Sequence, residues 1–365
     1  MSKKAPTFRE EMNCQPQSLS IQAILRSVPT GSGEFTPDKP IKKGVRWSKT
    51  SGLEGHDGGT VDEAGTSNPS GMRGCQETGP DGVVLSHGTQ EANFLAVASL
   101  RDRVTRAQGI LPEYEPIRLL PGLLGLKLEF IPSPWDVGSE SLLVFSCPNN
   151  PLGDCIGVEG LQELSSELVR KRSYAVVDSI FADFLGVEMF PLENVIITSS
   201  TSKFYTMKGV KVGWAVASRD LAEDMRGIGD LVSPGPFDLE ERYGSLAISM
   251  RNALFHSNAA ELSPKEDILG SLSGYSVVHK RGMPIAFLDL PHGPDSLGLA
   301  ELFLKSGILT VPGKLFGADR GVRIGLGVPS REEFKEAMDI VQELAHLPPS
   351  SQSEPPPAGA ELHQT

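Results

Sequence analysis

Four short, almost uninterrupted apolar runs constrain what this chain can fold into: SLLVFS (141–146), YAVVD (174–178), NVIITSS (194–200) and VGWAVA (212–217). A strand with one wet face alternates apolar and polar residues. These runs do not, so they read as strands covered on both faces. LKLEFI (126–131) and VVL (83–85) extend the series, and helical stretches such as EGLQELSSELVRKR (159–172) separate some of its members. Such alternation predicts an α/β chain, with a mostly parallel sheet and helices on both faces. The first strand meets a glycine-containing turn and then a helix, in which Ala92, Leu95, Ala96 and Leu100 recur at helical spacing.

After about residue 270 the pattern changes: MPIAFLDLP, ILTVPG and GVRIGLG are strand-like, and LGLAELFLKSG is a helix with a glycine stop. SREEFKEAMDIVQELAHL is a helix with Ser330 as N-cap, Glu333 at the capping-box position, and Phe334, Ala337, Met338, Val341 and Leu344 on its apolar face. This segment predicts a small α+β domain. The whole chain is then expected to hold an N-terminal arm (1–29, with one amphipathic stretch, LSIQAILRSV), a loop (30–82), a large domain (83–265), the small domain (266–347) and a tail (348–365). Within 30–82, SGLEGHDGGTVDEAGTSNPSGMRGCQETGPDG has almost no aliphatic residues and no period, so it cannot offset its ordering entropy and is expected to be disordered. The tail, PPSSQSEPPPAGAELHQT, is expected to be disordered for the same reason. Glycine (39) and proline (28) exceed their usual share of about 12% of a chain, as such segments require.

The net charge of −12 makes nucleic acid and anionic membrane surfaces poor partners, while leaving room for a small anionic cofactor bound by local donors. No secretory leader and no apolar run of about 18 residues is evident, which makes the cytoplasm the default location. Cys14, Cys75, Cys147 and Cys155 lack metal-site spacing and are expected to be reduced thiols, with no metal bound.

Chemistry-bearing residues sit where the strands end. Ser86-His87-Gly88-Thr89-Gln90-Glu91 lies at a strand-to-helix junction, where free N–H groups and the helix dipole favour phosphate. Cys147-Pro148-Asn149-Asn150-Pro151-Leu152-Gly153 follows SLLVFS directly, at the carboxyl end where open α/β sheets bind ligands. Asp178 ends YAVVD, and a carboxylate there needs a cation or donors to offset desolvation. Ser199-Ser200-Thr201-Ser202-Lys203 follows the next strand, with Gly209 and Lys211 close behind. A lysine in cationic, partly desolvated surroundings titrates low and attacks aldehydes.

Taken in order, the Gly-Thr turn, Asn-Asn-Pro-x-Gly, the strand-end Asp, Ser-x-Ser-Lys and a C-terminal Arg resemble the class I/II aminotransferases, within the fold type I enzymes that use pyridoxal 5′-phosphate (PLP). The resemblance covers roughly residues 83–347. It implies that Lys203 holds PLP as a Schiff base and moves the substrate proton, and that Asp178 pairs with the pyridine N–H. It assigns Asn150 to the phenolic oxygen and near the substrate. Gly88, Thr89, Gln90, Ser200, Ser202 and Lys211 fall to the phosphate, Tyr114 to stacking on the ring, and Arg323 to a bidentate grip on the substrate α-carboxylate. It further implies a homodimer acting on an amino acid and a 2-oxo acid.

There are departures from the family pattern. Lys211 stands where the family has arginine, Phe181 where it has tyrosine, and no tyrosine precedes Tyr114. The family's N-terminal substrate loop is unrecognisable within 30–82, the strand usually found between Val104 and Tyr114 is not evident, and the connection before SLLVFS is short. The residues thus leave three readings open: transamination, a PLP-dependent lyase, cyclase or synthase, and a non-catalytic protein that retains the fold.

Overall fold

A computed structural model describes residues 80–346, apart from residues 188, 190, 191, 208 and 235–237. The expected arm, nearly all of the 30–82 loop and the tail lie outside the described residues.

The larger sheet is built from β1 (Val83–Ser86), β2 (Arg106–Gly109), β3 (Leu128–Phe130), β4 (Ser141–Ser146), β5 (Tyr174–Asp178), β6 (Val195–Ser200) and β7 (Gly213–Val216). Its order is β1-β7-β6-β5-β4-β2-β3. The neighbours from β6 across to β3 run parallel, and β7 is antiparallel to both β6 and β1. Helices α1 (Thr89–Leu100), α2 (Glu115–Leu123), α3 (Gly157–Lys171), α4 (Arg219–Val232) and α5 (Asp238–Ser249) accompany it.

Two apolar layers explain the uninterrupted runs. Leu142, Val144, Val176 and Ile196 face one layer, with Leu95 and Leu100 of α1 and Leu221 and Met225 of α4. Leu143, Phe145, Ala175, Val177, Val195 and Ile197 face the other, with Leu161, Leu164 and Leu168 of α3. Successive side chains of a strand point to opposite faces, so a sheet covered twice needs apolar residues at every position. Each fully buried Leu, Ile or Val contributes roughly 1.5–3 kcal/mol.

Strand β2 was not evident in the sequence. Its RAQG holds a single apolar side chain, Ala107, and its polar groups find partners instead. Gln108 accepts from the Gly138 N–H (2.7 Å), and Arg106 Nε donates to Ser141 Oγ (3.0 Å). Between β3 and β4 only the short turn Pro134–Asp136 is helical, in keeping with the short connection.

Helix α6 (Arg251–Gly270) leads into the second sheet and runs unbroken across residues 265 and 266. The sheet's strands are β8 (Ser276–Val278), β9 (Ile285–Asp289), β10 (Val311–Pro312) and β11 (Val322–Gly325), all antiparallel in the order β10-β11-β9-β8. Strand β10 is shorter than ILTVPG suggested. Helix α7 (Ser296–Lys305) is capped by Asp295, whose side chain accepts from Gly298 N–H. Helix α8 (Arg331–Ala345) carries the Ser330–Glu333 capping box that its sequence predicts. Leu262 and Leu269 of α6, Phe303 of α7 and Phe334, Met338 and Val341 of α8 close over this sheet in one core. Among the described residues no helix is long and apolar enough to cross a membrane.

Candidate active site

Strands β4, β5 and β6 are parallel neighbours, with Ser146 opposite Asp178 and Asp178 opposite Thr198. The segments that leave their carboxyl ends therefore emerge side by side. These are the Asn150 loop, Asp178 itself and the Ser200–Lys203 turn.

Asp178 is buried (3% exposed). Its Oδ2 accepts from Asn93 Nδ2 (3.0 Å) and its Oδ1 from the Ile180 N–H (3.1 Å). Burial pushes its pKa above the usual carboxylate range, while these two hydrogen bonds and the nearby charge of Lys203 oppose the shift. Asn93 is itself held, since its Oδ1 accepts from Thr198 Oγ1. The fully buried Asn93 on α1 is a functional candidate that the sequence reading passed over. Its only signal was a polar residue on an apolar helix face.

A second group gathers at the start of α1. Gly88, with φ of 88°, is its N-cap. Gly213 of β7 approaches so closely that a Cβ there would lie 2.4 Å from the Gly88 carbonyl carbon. Lys211 passes beside the same turn, its Cβ 3.7 Å from where a Gly88 side chain would begin. Thr89 Oγ1 is buried without a hydrogen-bond partner. Ser200 and Ser202 share a hydrogen bond (2.8 Å). Gln90 does not point into this group; it is exposed, and its Nε2 donates to the Tyr114 hydroxyl (3.1 Å). Burial, with Asp178 second, pushes the Tyr114 pKa up. Lys203 is exposed, so the described residues do not supply the desolvation expected for it; its charge is felt at Asp178.

The third group joins the two sheets. Arg323 of β11 donates from Nη1 to Asn150 Oδ1 (3.1 Å), and its guanidinium stands 5.3 Å from the centre of the Phe316 ring. Its Nε is buried and unpartnered, and burial lowers its pKa. Among the described residues this buried guanidinium donates to a neutral amide oxygen and keeps a fork of donors of the kind that carboxylates accept from.

The family description "Aminotransferase class I and II" matches residues 135–235, the span that holds Asn150, Asp178, Lys203 and Lys211. Over that span the chain is similar to the class I/II aminotransferases. Capreomycidine synthase of Streptomyces vinaceus is 27% identical over 297 residues, covering 73% of this chain and 75% of that one. Histidinol-phosphate aminotransferase 2 of Carboxydothermus hydrogenoformans is also 27% identical, covering 73% and 78%. Among solved structures, a PLP-dependent aminotransferase from Streptococcus suis superposes with a TM-score of 0.65 at 18% identity, over 72% of this chain and 76% of that one. Aspartate aminotransferase from Thermus thermophilus with maleate gives 0.62 at 20%, again over 72% and 76%. At such identities these two show the fold, a type I α/β arrangement.

Besides Asn93, two features near the site are not announced by the sequence. The first is Glu113, 1% exposed, whose carboxylate accepts from the Ser146 N–H (2.7 Å), the Ser146 hydroxyl and the Tyr114 N–H (2.6 Å). Burial pushes its pKa up to about 7 against those hydrogen bonds. Through Ser146 Oγ, which accepts from the Asn150 N–H (3.0 Å), it supports the Asn150 loop. An acidic residue between proline and tyrosine carries no signal that separates it from a solvated one. The second is a correction: Cys147 and Cys155 are not free thiols but a disulfide, with Cα atoms 4.8 Å apart. A separation of eight matched no motif; the turn over Asn149–Gly153 brings the two together. Phe181, in place of the family's tyrosine, is buried with Met283 and Ile285.

Proposed function

We propose that this chain is a PLP-dependent enzyme that moves an amino group from an amino acid to a 2-oxo acid, with Lys203 as the point of cofactor attachment. The observation that carries the reading is the hydrogen bond between Arg323 and Asn150, set beside the buried carboxylate of Asp178. Three features support a fit to PLP. Asp178 is buried and accepts from the neutral donors Asn93 Nδ2 and Ile180 N–H, Thr89 Oγ1 is buried with no partner among the described residues, and the Gly88–Gly213 approach leaves backbone where a side chain would intrude.

When bound, PLP supplies an aldehyde that condenses with amines and a ring that withdraws electrons from a substrate Cα. Asp178 would hold a proton on the ring nitrogen, and Asn93 would fix the carboxylate that does so. Thr89, Ser200, Ser202, Lys211 and the free N–H groups of α1 would receive the phosphate. Tyr114 would cover one ring face, with Gln90 holding its hydroxyl. Arg323 would grip the α-carboxylate, and Asn150 would orient Arg323 and face the phenolic oxygen. Lys203 would carry the proton removed from Cα. Lys211 gives the phosphate a point charge where arginine would give a fork, so a looser hold is expected.

We further propose a cytoplasmic homodimer; Leu119 and Leu123, exposed on α2, offer apolar surface to cover. Sedimentation of the cofactor-loaded protein tests this, and a monomer at micromolar concentration contradicts it.

The test of attachment is chemical. Protein incubated with PLP, reduced with borohydride and digested should carry the pyridoxyl adduct on Lys203, and Lys203→Ala should carry none. An unmodified Lys203 peptide overturns the reading. The similarity to a protein named a synthase supports a second reading, in which the same residues serve cyclisation or elimination. Product formation that needs a 2-oxo acid acceptor favours transamination; formation without one favours the second reading.

A further inference from the structure

The disulfide between Cys147 and Cys155 ties together the two ends of the loop that carries Asn150, and the reaction proposed above uses neither sulfur. Cys147 follows β4 directly and is 1% exposed, whereas Cys155 is half-buried, so solvent reaches the pair through Cys155. Inside the loop, Asn149 N–H donates to Asp154 O (2.6 Å), Gly153 N–H to Asn149 O (2.8 Å) and Leu152 N–H to Asn149 Oδ1 (3.0 Å). The outer side of the loop meets residues that lead into β9. A Cβ on Gly153, where φ is 84°, would lie 3.0 Å from Lys280 Cβ and 3.3 Å from Met283 Cγ. Asn150, at the loop's centre, receives Arg323 from β11. The loop is thus a junction between the two sheets, and the sulfur bridge sets its span.

We propose that Cys147 and Cys155 form a reversible redox-modification site for low-molecular-weight disulfides, and that the oxidised form holds the Asn150 loop against Arg323. Cys155, as thiolate, attacks one sulfur of the reagent disulfide. A mixed disulfide forms, the reagent's S–S bond breaks, and the departing thiolate takes a proton. Cys147, as thiolate, then attacks the Cys155 sulfur and expels the second thiol in the same way. Two protein thiols lose two electrons, and one reagent disulfide becomes two thiols that carry both protons. The Cα separation of 4.8 Å lies within the span of a disulfide, so closure needs no backbone rearrangement. Reduction leaves the loop's hydrogen bonds but removes the tie between its ends, and conformational freedom returns to the segment. A reducing compartment keeps such pairs open, so the state of this one follows the surrounding thiol–disulfide balance.

The inference uses the placement of Asn150 and requires no turnover, so its failure leaves the proposed reaction untouched. The full chain is equilibrated in glutathione buffers from fully reduced to fully oxidised, quenched by alkylation and mapped for the Cys147–Cys155 cross-link, apart from Cys14 and Cys75. Hydrogen exchange is then compared between the two end states. The expected result is one reversible two-electron transition, with the amides of Asn150, Leu152 and Gly153 exchanging about five-fold or more slower in the oxidised protein. Cys155→Ser should exchange like the reduced protein in both buffers; if that variant fails to fold, the wild-type comparison decides alone. No cross-link in glutathione disulfide overturns the proposal, as does a cross-link that leaves those three amides unchanged.

Discussion

Arg323 Nη1 and Asn150 Oδ1 lie 3.1 Å apart although 173 residues separate them in the chain. The pair couples β11, an inner strand of the smaller sheet, to the loop that follows β4 of the larger one, and Arg323 Nε is buried with no partner among the described residues. A donor in that position raises the energy of the ligand-free state and favours whatever carboxylate reaches it.

Replacing Arg323 with lysine keeps the charge and removes the fork. For the amino acid used best, kcat/KM of Arg323→Lys should fall about 10- to 100-fold, roughly 1.4–2.8 kcal/mol, with most of the change in KM. Steady-state kinetics on the two proteins check this. An unchanged KM would mean that the guanidinium does not touch substrate.

Asn93 is the support of Asp178. In Asn93→Ala the buried carboxylate loses its Nδ2 donor, which costs about 1–3 kcal/mol. The affinity for PLP, read by fluorescence titration, should weaken about 10- to 100-fold while the fold persists by circular dichroism.

Glu113 makes stability depend on pH in a stated direction. Its folded pKa is raised to about 7 from 4.5, so the folded protein holds a proton that the unfolded chain has released. The associated stability is full below the unfolded value and is lost as pH rises through about 7. Between pH 5.5 and 8.5 the loss should be of the order of 2 kcal/mol. Urea midpoints for wild type and Glu113→Gln at the two pH values isolate this contribution. The variant should show a shallower decline.

Gly213 tests the backbone approach to Gly88. The added Cβ of Gly213→Ala meets the Gly88 carbonyl carbon, Cα and oxygen at 2.4–2.6 Å, contacts that only a backbone shift can relieve. The expected outcome is about 1–3 kcal/mol of lost stability together with weaker PLP binding, measured by thermal unfolding with and without cofactor.

Much of this was legible in the sequence because strand ends announce themselves. The runs ending at Ser146, Asp178 and Ser200 are apolar on both faces, so the polar residues that follow stand out, and parallel pairing puts them on one edge. Asn93 and Glu113 were not legible, since each depends on a partner distant in sequence, Asp178 or Ser146. Strand β2 escaped for the related reason that its polar side chains are satisfied by Gly138 and Ser141 rather than by solvent. The sulfur bridge escaped because a turn, not a spacing rule, brings Cys147 to Cys155.

A single turnover shows whether Lys203 and Asp178 serve an amino-group transfer. Protein loaded with PLP and freed of excess is mixed with each common amino acid in turn, and the 2-oxo acid released is quantified. About one equivalent per subunit is expected for at least one amino acid, and none from Lys203→Ala. Loaded wild-type protein that releases no 2-oxo acid from any of them would contradict it.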